Sequence, residues 1–132
     1  MSTYLLDTSV VIDVLRGVSG RAGLLRGLAD DGHLLACTAI TVAEVFAGMR
    51  SKERLQTVAL LDSLVHFDIT RPDAELAGGL RREWSSRGRT LALADLLIAA
   101  IAIRQELILM TDNIKDFPMS EIRLFRFNER HT

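Results

Sequence analysis

The chain has 132 residues, of which 48% are hydrophobic and 25% are charged, so we expect one globular domain, residues 1–132, with a substantial core. The net charge of −1 excludes a generally basic protein that coats nucleic acid, but it leaves room for a local basic patch. The longest charge-free apolar run, residues 96–103, is far shorter than the roughly 20 residues needed to span a bilayer, and the first residues lack the pattern of a signal peptide, so we expect a cytoplasmic protein with no membrane partner.

Short apolar strands alternate with helices along the whole chain. The predicted strands are residues 4–6, 34–37, 66–69, 107–110 and 122–125. The predicted helices are residues 10–17, 21–29, 41–49, 55–64, 72–86 and 90–105. This alternation is typical of an α/β fold, and it predicts a three-layer α/β/α sandwich around a central, mainly parallel sheet of four to five strands.

Acidic side chains stand at four places in the chain where a carboxylate is costly. They are Asp7, Glu44, Asp95 and the segment 112–116. A carboxylate withdrawn from water destabilises a protein unless it is paired or bound to a metal. The first and last of these places directly follow predicted strands, and the other two lie early in predicted helices. In an α/β sheet these positions share one edge, so we expect the four to converge.

Oxygen ligands with no histidine or cysteine among them favour Mg²⁺ or Mn²⁺ over zinc. Each acid also has a purely structural explanation, and the residues alone leave both open. Asp7 suits a helix N-cap, as do residues 112–113. Thr41 and Glu44 match a capping box. Asp95 suits the positive end of a helix dipole, although apolar residues surround it on both sides.

Four segments carry these acids in order over essentially the whole chain. They are residues 5–12 (Leu-Leu-Asp-Thr-Ser-Val-Val-Ile), 41–45 (Thr-Val-Ala-Glu-Val), 93–100 (Leu-Ala-Asp-Leu-Leu-Ile-Ala-Ala) and 110–117 (Met-Thr-Asp-Asn-Ile-Lys-Asp-Phe). Together they resemble the signatures of PIN-domain ribonucleases, and above all the VapC toxins of bacterial toxin–antitoxin pairs. The resemblance implies a PIN-like fold and an endoribonuclease toxin that depends on Mg²⁺ or Mn²⁺ and hydrolyses RNA phosphodiester bonds.

The resemblance also implies roles for individual residues. Asp7, Glu44 and Asp95 match the three acids that such enzymes use for catalysis and for binding metal. Thr8 and Thr111 match small hydroxyl residues that line such sites, and we expect them to support the acids.

The fourth family acid has three candidates near the end of the chain. They are Asp112, Asn113 and Asp116. We favour Asp116 as the fourth catalytic and metal-binding residue, with Asn113 supporting it and Asp112 as a charged neighbour.

The densest basic stretch of the chain lies just before the predicted helix of Asp95. It is either a surface that positions RNA phosphates or a solvated helix end. The candidate RNA-binding residues are Arg81, Arg82, Arg87, Arg89 and Lys115. The resemblance further implies a homodimer and a VapB-like antitoxin whose C-terminal segment covers the active site.

Other functions compete with this hypothesis. The same fold can serve as a binding module without catalysis, or as a nuclease that acts on DNA or in RNA processing outside a toxin–antitoxin pair. Metal-assisted phosphodiester hydrolysis does not itself require a 2′-hydroxyl. A receiver domain requires paired acids after the first strand, and an aspartate-nucleophile phosphatase requires an Asp-x-Asp motif. Residues 7–9 are Asp-Thr-Ser, so both fit poorly.

Overall fold

A computed structural model of the chain describes residues 1–18 and 20–127, so Ser19 and residues 128–132 of the predicted domain lie outside the described part. The described part contains five strands: β1 Thr3–Leu6, β2 Leu34–Thr38, β3 Val65–Phe67, β4 Ile108–Met110 and β5 Arg123–Leu124. It contains six α-helices: α1 Thr8–Leu15, α2 Arg21–Asp30, α3 Ala39–Gly48, α4 Arg54–Asp62, α5 Arg71–Ser86 and α6 Leu93–Arg104. It also contains two short 3₁₀ helices: Ser51–Glu53 and Ile114–Asp116.

The five strands form one sheet in the order β3-β2-β1-β4-β5, and every pairing is parallel. β1 lies at the centre, where Leu5 pairs with Ala36 of β2 on one side and with Leu109 of β4 on the other. The chain completes β1, β2 and β3 before it crosses to the other side of β1 to add β4 and β5. The strand order therefore reverses between β1 and β4, and the carboxyl ends of these strands flank a crevice of the kind in which α/β proteins bind ligands.

Helices cover both faces of the sheet, as the apolar strands predicted. Successive strand residues point to opposite faces, so Leu5 packs towards α5 and α6 while Leu6 packs towards α1, α2 and α4. Helix α6 is the most buried helix, with six buried residues in a run that is apolar nearly all round. The predicted three-layer α/β/α sandwich is therefore confirmed. In the described part of the chain, none of the helices combines the length and apolar character needed to cross a bilayer.

Some element boundaries differ from the prediction. Helix α6 begins at Leu93 rather than at residue 90, because Ala92 has extended backbone angles and forms the N-cap. Asp95 consequently lies in the first turn, where the helix dipole favours a negative charge. Helix α3 begins at Ala39, two residues earlier than predicted, with Thr38 as its N-cap. Strand β3 ends at Phe67 instead of residue 69, a short distance before Thr70 caps α5.

An ion pair between a buried carboxylate and an exposed arginine joins the start of α5 to the end of α6. Asp73 is 1% exposed, accepts hydrogen bonds from the backbone and hydroxyl of Thr70, and pairs with Arg104 at 2.7 Å. Burial by itself raises the pKa of Asp73, but the hydrogen bonds from Thr70 and Arg104 and the charge of Arg104 outweigh it, so the net pKa is lowered. This contact lies at the end of α6 away from Asp95 and fixes the direction of that helix.

Candidate active site at the carboxyl edge of the sheet

Asp7 is the central acid of the candidate site, since it directly follows the central strand. Its backbone N–H donates to the carbonyl of Met110 at the end of β4, at 2.9 Å. Its side chain is 5% exposed and accepts hydrogen bonds from the backbone N–H of Thr8 at 2.9 Å and the hydroxyl of Thr111 at 2.7 Å. The hydroxyl of Ser9 donates a longer bond of 3.3 Å. The predicted N-cap is thus present, but it engages only part of this carboxylate.

The electrostatics of Asp7 reflect two opposing influences. Burial raises the pKa of Asp7, and the hydrogen bonds from Thr111, Thr8 and Ser9 lower it without cancelling the effect of burial. The negative charge of Glu44 raises the pKa a little further. Asp7 is therefore a desolvated carboxylate beside another acid, and a nearby positive charge would stabilise its ionised form.

Asp95 carries the clearest sign that the acids converge. It lies in the first turn of α6 and is partly buried. Burial raises the pKa of Asp95, and the charges of Asp7, Asp116 and Glu44 raise it further, to about 6. Like charges act on one another in this way only over short distances. The structure thus brings together the acids that the sequence separates by more than 100 positions.

Glu44 lies on α3 and reaches across to α1. Its Oε1 accepts a 2.6 Å hydrogen bond from the hydroxyl of Thr8, and the hydroxyl of Thr41 lies 3.1 Å from that of Thr8. The predicted capping box of Thr41 and Glu44 is wrong, because α3 begins at Ala39 and both residues lie inside the helix. Thr41 lies one helical turn before Glu44, on the same face. That spacing was visible in the sequence, but its pairing with Thr8 was not.

The segment after β4 separates the three candidates for the fourth acid. Asp116, at the end of the 3₁₀ helix Ile114–Asp116, is partly buried and contributes its charge to Asp95. Asn113 donates its backbone N–H to the hydroxyl of Thr111 at 3.0 Å, so it supports the turn through its main chain.

Asp112 has a different set of contacts. Its carboxylate meets the guanidinium of Arg21 on α2 at 2.5 Å. Burial and a hydrogen bond with Asp13 raise the pKa of Asp112, against the lowering effect of Arg21. The charge of Asp116 acts on Asp95 and that of Asp7 acts on Asp112, so Asp116 as the fourth acid stays a prediction.

Two of the candidate RNA-binding residues, Arg87 and Arg89, make hydrogen bonds within the protein. The guanidinium of Arg87 bonds to Glu83 at 3.0 Å and lies 4.7 Å from the ring centre of Trp84. Arg89 donates to the backbone carbonyl of Lys115, which ties the loop before α6 to the 3₁₀ helix of Asp116. Arg81 is half-buried, whereas Arg82 and the side chain of Lys115 are exposed.

The donor set of the site fits a hard divalent cation. Carboxylate oxygens are the ligands that Mg²⁺ and Mn²⁺ prefer, and burial and the charges of Asp7, Asp116 and Glu44 together raise the pKa of Asp95. Within residues 1–18 and 20–127, no three acidic, histidine or cysteine side chains are close enough to chelate one ion together. Mg²⁺ keeps several of its water molecules in proteins, so a cation at this cluster would be held partly through its water.

A groove lies along α1 and α3. It is lined by Ile12, Leu15, Arg16, Val45, Gly48, Met49, Arg50, Glu53 and Thr57. Glu44 immediately precedes Val45 in the chain, and Thr8 lies one turn before Ile12, but none of the four acids lines the groove. Its lining combines apolar side chains with both signs of charge, which suits an amphipathic segment of another protein.

Comparison with known proteins finds matches over nearly the whole chain. The family model described as PIN domain matches residues 4–118. Ribonuclease VapC19 of Mycobacterium tuberculosis is 35% identical over 115 residues, covering 87% of this chain and 92% of that protein. Ribonuclease VapC10 of the same organism is 38% identical over 117 residues, covering 89% and 87%. A chain in the crystal structure of VapBC2 from Rickettsia felis, bound to a promoter DNA fragment, superposes with a TM-score of 0.81 at 27% identity and covers 93% of this chain and 97% of that one.

Proposed function

Because the chain belongs to the PIN-domain family, with VapC ribonucleases as its relatives, we propose that it is the endoribonuclease toxin of a toxin–antitoxin pair. Its substrate is RNA, and a cognate VapB-like antitoxin neutralises it. The proposal is supported by the placement of Asp7 directly after β1 and of Asp95 in the first turn of α6, with Glu44 bonded to Thr8 of α1. The charges of Asp7, Asp116 and Glu44 all act on Asp95. A binding module without catalysis has no use for four carboxylates that repel one another at a cost in stability.

We propose Mg²⁺ or Mn²⁺ as the cofactor and these four acids as its site. Asp7 and Asp95 would hold the cation, directly or through its water, and Asp116 would contribute from the segment after β4. When bound, the cation lowers the pKa of a water molecule and neutralises charge on the phosphoryl oxygens. A second ion near Asp116 would require RNA to complete its ligands.

The residues of the chain then have distinct tasks. Glu44 accepts a proton from the attacking water at Oε2, while Thr8 holds Oε1. Hydrogen bonds from Thr8, Ser9 and Thr111 orient Asp7 and favour its ionised form. The water oxygen bonds to phosphorus as the bond from phosphorus to the 3′ oxygen breaks, and the 3′ oxygen takes up a proton. The products carry a 5′-phosphate and a 3′-hydroxyl.

RNA must also be held against the acidic site. The exposed side chains of Arg82 and Lys115 are our proposed phosphate contacts, and Arg81, Arg87 and Arg89 border them. Phosphate contacts of this kind position the substrate without reading its sequence.

We propose that the antitoxin docks in the groove along α1 and α3. An amphipathic segment that buries its apolar face against Val45 and Met49 would end beside Glu44 and block access to the acids. We also propose that two copies of the chain form a homodimer. Light scattering on the purified protein tests the dimer, because it gives the mass of the particle in solution.

Cleavage of matched substrates tests the proposed activity. Labelled single-stranded RNA and DNA of one sequence are incubated with the protein in Mg²⁺, in Mn²⁺ and in EDTA, with Glu44→Gln as the matched control. We expect internal cuts in RNA that need the divalent ion, 5′-phosphate ends, and a loss of at least about 100-fold in Glu44→Gln. Equal cutting of the DNA would make the protein a general nuclease. Cyclic phosphate ends, or full activity in EDTA, would disprove the proposed mechanism.

A further inference from the structure

A chain of hydroxyl groups runs from the interior of α3 to Glu44. Thr41 is 0% exposed, and its hydroxyl oxygen lies 3.1 Å from that of Thr8 on α1. The hydroxyl of Thr8 in turn lies 2.6 Å from Oε1 of Glu44. Two residues of one helix are therefore connected through a residue of another, over sequence separations of 33 and 36 positions.

The direction of the protons in this chain follows from simple counting. An ionised carboxylate only accepts hydrogen bonds, so the single proton of the Thr8 hydroxyl must point to Glu44. The contact between the two threonines then requires Thr41 to donate its own proton to the oxygen of Thr8. Hydrogen bonds that end on a charged group are the stronger ones, and each donor in a chain polarises the next. Thr41 thereby fixes the rotamer of Thr8 and the orientation of the Glu44 carboxylate.

We propose that Thr41 is a positioning residue, which acts through Thr8 to hold Glu44 in the orientation that the reaction needs. This inference rests on the proposed function, since Glu44 matters to catalysis only if the protein cleaves RNA. Glu44 lies on the exposed side of α3, where a glutamate normally samples several rotamers. A buried donor behind Thr8 removes that freedom, because Thr41 cannot turn towards water.

The competing explanation is that Thr41 merely fills space in the interior. Thr38 offers a matched control on the same segment, because it is also 0% exposed. Across the described residues, the Thr38 hydroxyl is the buried side-chain group that lacks a hydrogen-bond partner. Thr38→Val and Thr41→Val remove the same atom from equally buried sites, so they differ in whether a hydrogen bond is lost.

Steady-state cleavage of one RNA by five variants tests the proposal. The variants are Thr41→Val, Thr41→Ser, Thr8→Val, the double variant Thr8→Val with Thr41→Val, and Thr38→Val. We expect Thr41→Val to lower kcat by about tenfold with KM unchanged, because the loss concerns a group that acts after binding. Thr41→Ser keeps the donor and is expected to stay within about twofold of the wild type, as is Thr38→Val. The double variant should be no slower than Thr8→Val alone, since Thr41 acts through Thr8.

Two further measurements do not depend on turnover. A crystal structure of metal-free Thr41→Val is expected to show Glu44 turned away from Thr8. Mn²⁺ titration followed by electron paramagnetic resonance is expected to show weaker binding in Thr41→Val than in Thr41→Ser. Should Thr41→Val fail to fold, as judged by circular dichroism, Thr41→Ala replaces it in the same set.

The outcomes separate this inference from the proposed function. If the losses of kcat in Thr8→Val and Thr41→Val multiplied in the double variant, the inference would be overturned. Equal losses of kcat in Thr41→Val and Thr38→Val would overturn it too. Wild-type kcat in Thr41→Val, alongside an active wild-type protein, would overturn it as well and leave the proposed function intact. A wild-type protein that cuts no RNA under any condition would instead refute the proposed function itself.

Discussion

The hydroxyl of Thr111, just after β4, donates a 2.7 Å hydrogen bond to Oδ2 of Asp7, just after β1. The two residues are 104 positions apart and both are buried. Their bond spans the two strands between which the strand order of the sheet reverses. It therefore links the fold directly to the site, because Asp7 keeps its orientation only while β1 and β4 stay in register.

Replacing Thr111 should weaken cation binding. Thr111→Val removes the strongest side-chain donor to Asp7, so the pKa of Asp7, already raised by burial, should rise further. Protons then compete better with the cation, and we expect the Mg²⁺ concentration for half-maximal cleavage to rise about tenfold at pH 7. Titration of cleavage rate against Mg²⁺ measures this, with Thr111→Ser as the control that keeps the hydroxyl. Identical midpoints in the two variants would contradict the role given to this bond.

Asp95→Asn should abolish cleavage and yet stabilise the metal-free protein. The folded-state pKa of Asp95 is about 6, against an ordinary value of 3.8, so the folded state favours the protonated form. Its carboxylate therefore costs little stability at pH 4, and the cost grows as the pH rises towards 6 and is complete above it. Allowing for partial exposure, we expect Asp95→Asn to be more stable by about 1 kcal/mol at pH 8 and nearly unchanged at pH 4.

Urea unfolding in EDTA at the two pH values measures this difference. Added Mg²⁺ should raise the stability of the wild type more than that of Asp95→Asn, because a ligand that binds only the folded state stabilises it. A variant less stable than the wild type at pH 8 would show that Asp95 serves the structure rather than a cation.

The sequence predicted where the acids lie in the fold better than it predicted their contacts. Asp7 and Asp95 could be placed at one edge because strand ends and helix beginnings meet there whatever the loops do. The partner of Glu44 could not be found in the same way, since Thr8 belongs to another helix and the boundary of α3 differed by two residues. The pairing of Arg21 with Asp112, across 91 positions, likewise depends on how α2 packs.

The ion pair of Asp73 and Arg104 should matter for stability and not for catalysis. The pKa of Asp73 is lowered in the folded state, so its ionised carboxylate stabilises the protein above about pH 4. This stabilisation is lost as the pH falls through the folded-state pKa. Asp73→Asn removes the charge that bonds to the exposed Arg104, and we expect a loss of about 1 kcal/mol at pH 7. Urea unfolding at pH 7 and pH 3 measures both effects, since the variant should lie closer to the wild type at pH 3. A large fall in kcat at 25 °C, with the protein fully folded, would speak against this purely structural role.

Arg82 should contribute to RNA binding through charge alone. Its side chain is exposed on α5, in the basic stretch that precedes Asp95. A phosphate contact releases a counterion from the RNA, so KM depends on the salt concentration. In a plot of log KM against the logarithm of salt concentration, each contact to a single strand adds about 0.7 to the slope. We expect Arg82→Gln to raise KM at low salt, to reduce this slope by about 0.7 and to leave kcat unchanged.

Arg71→Gln is the matched control, because Arg71 is an exposed arginine at the opposite end of the same helix, paired with Glu75. KM measured from 50 to 300 mM KCl separates the two variants, and an equal slope for Arg82→Gln, Arg71→Gln and the wild type would remove Arg82 from the RNA-binding surface.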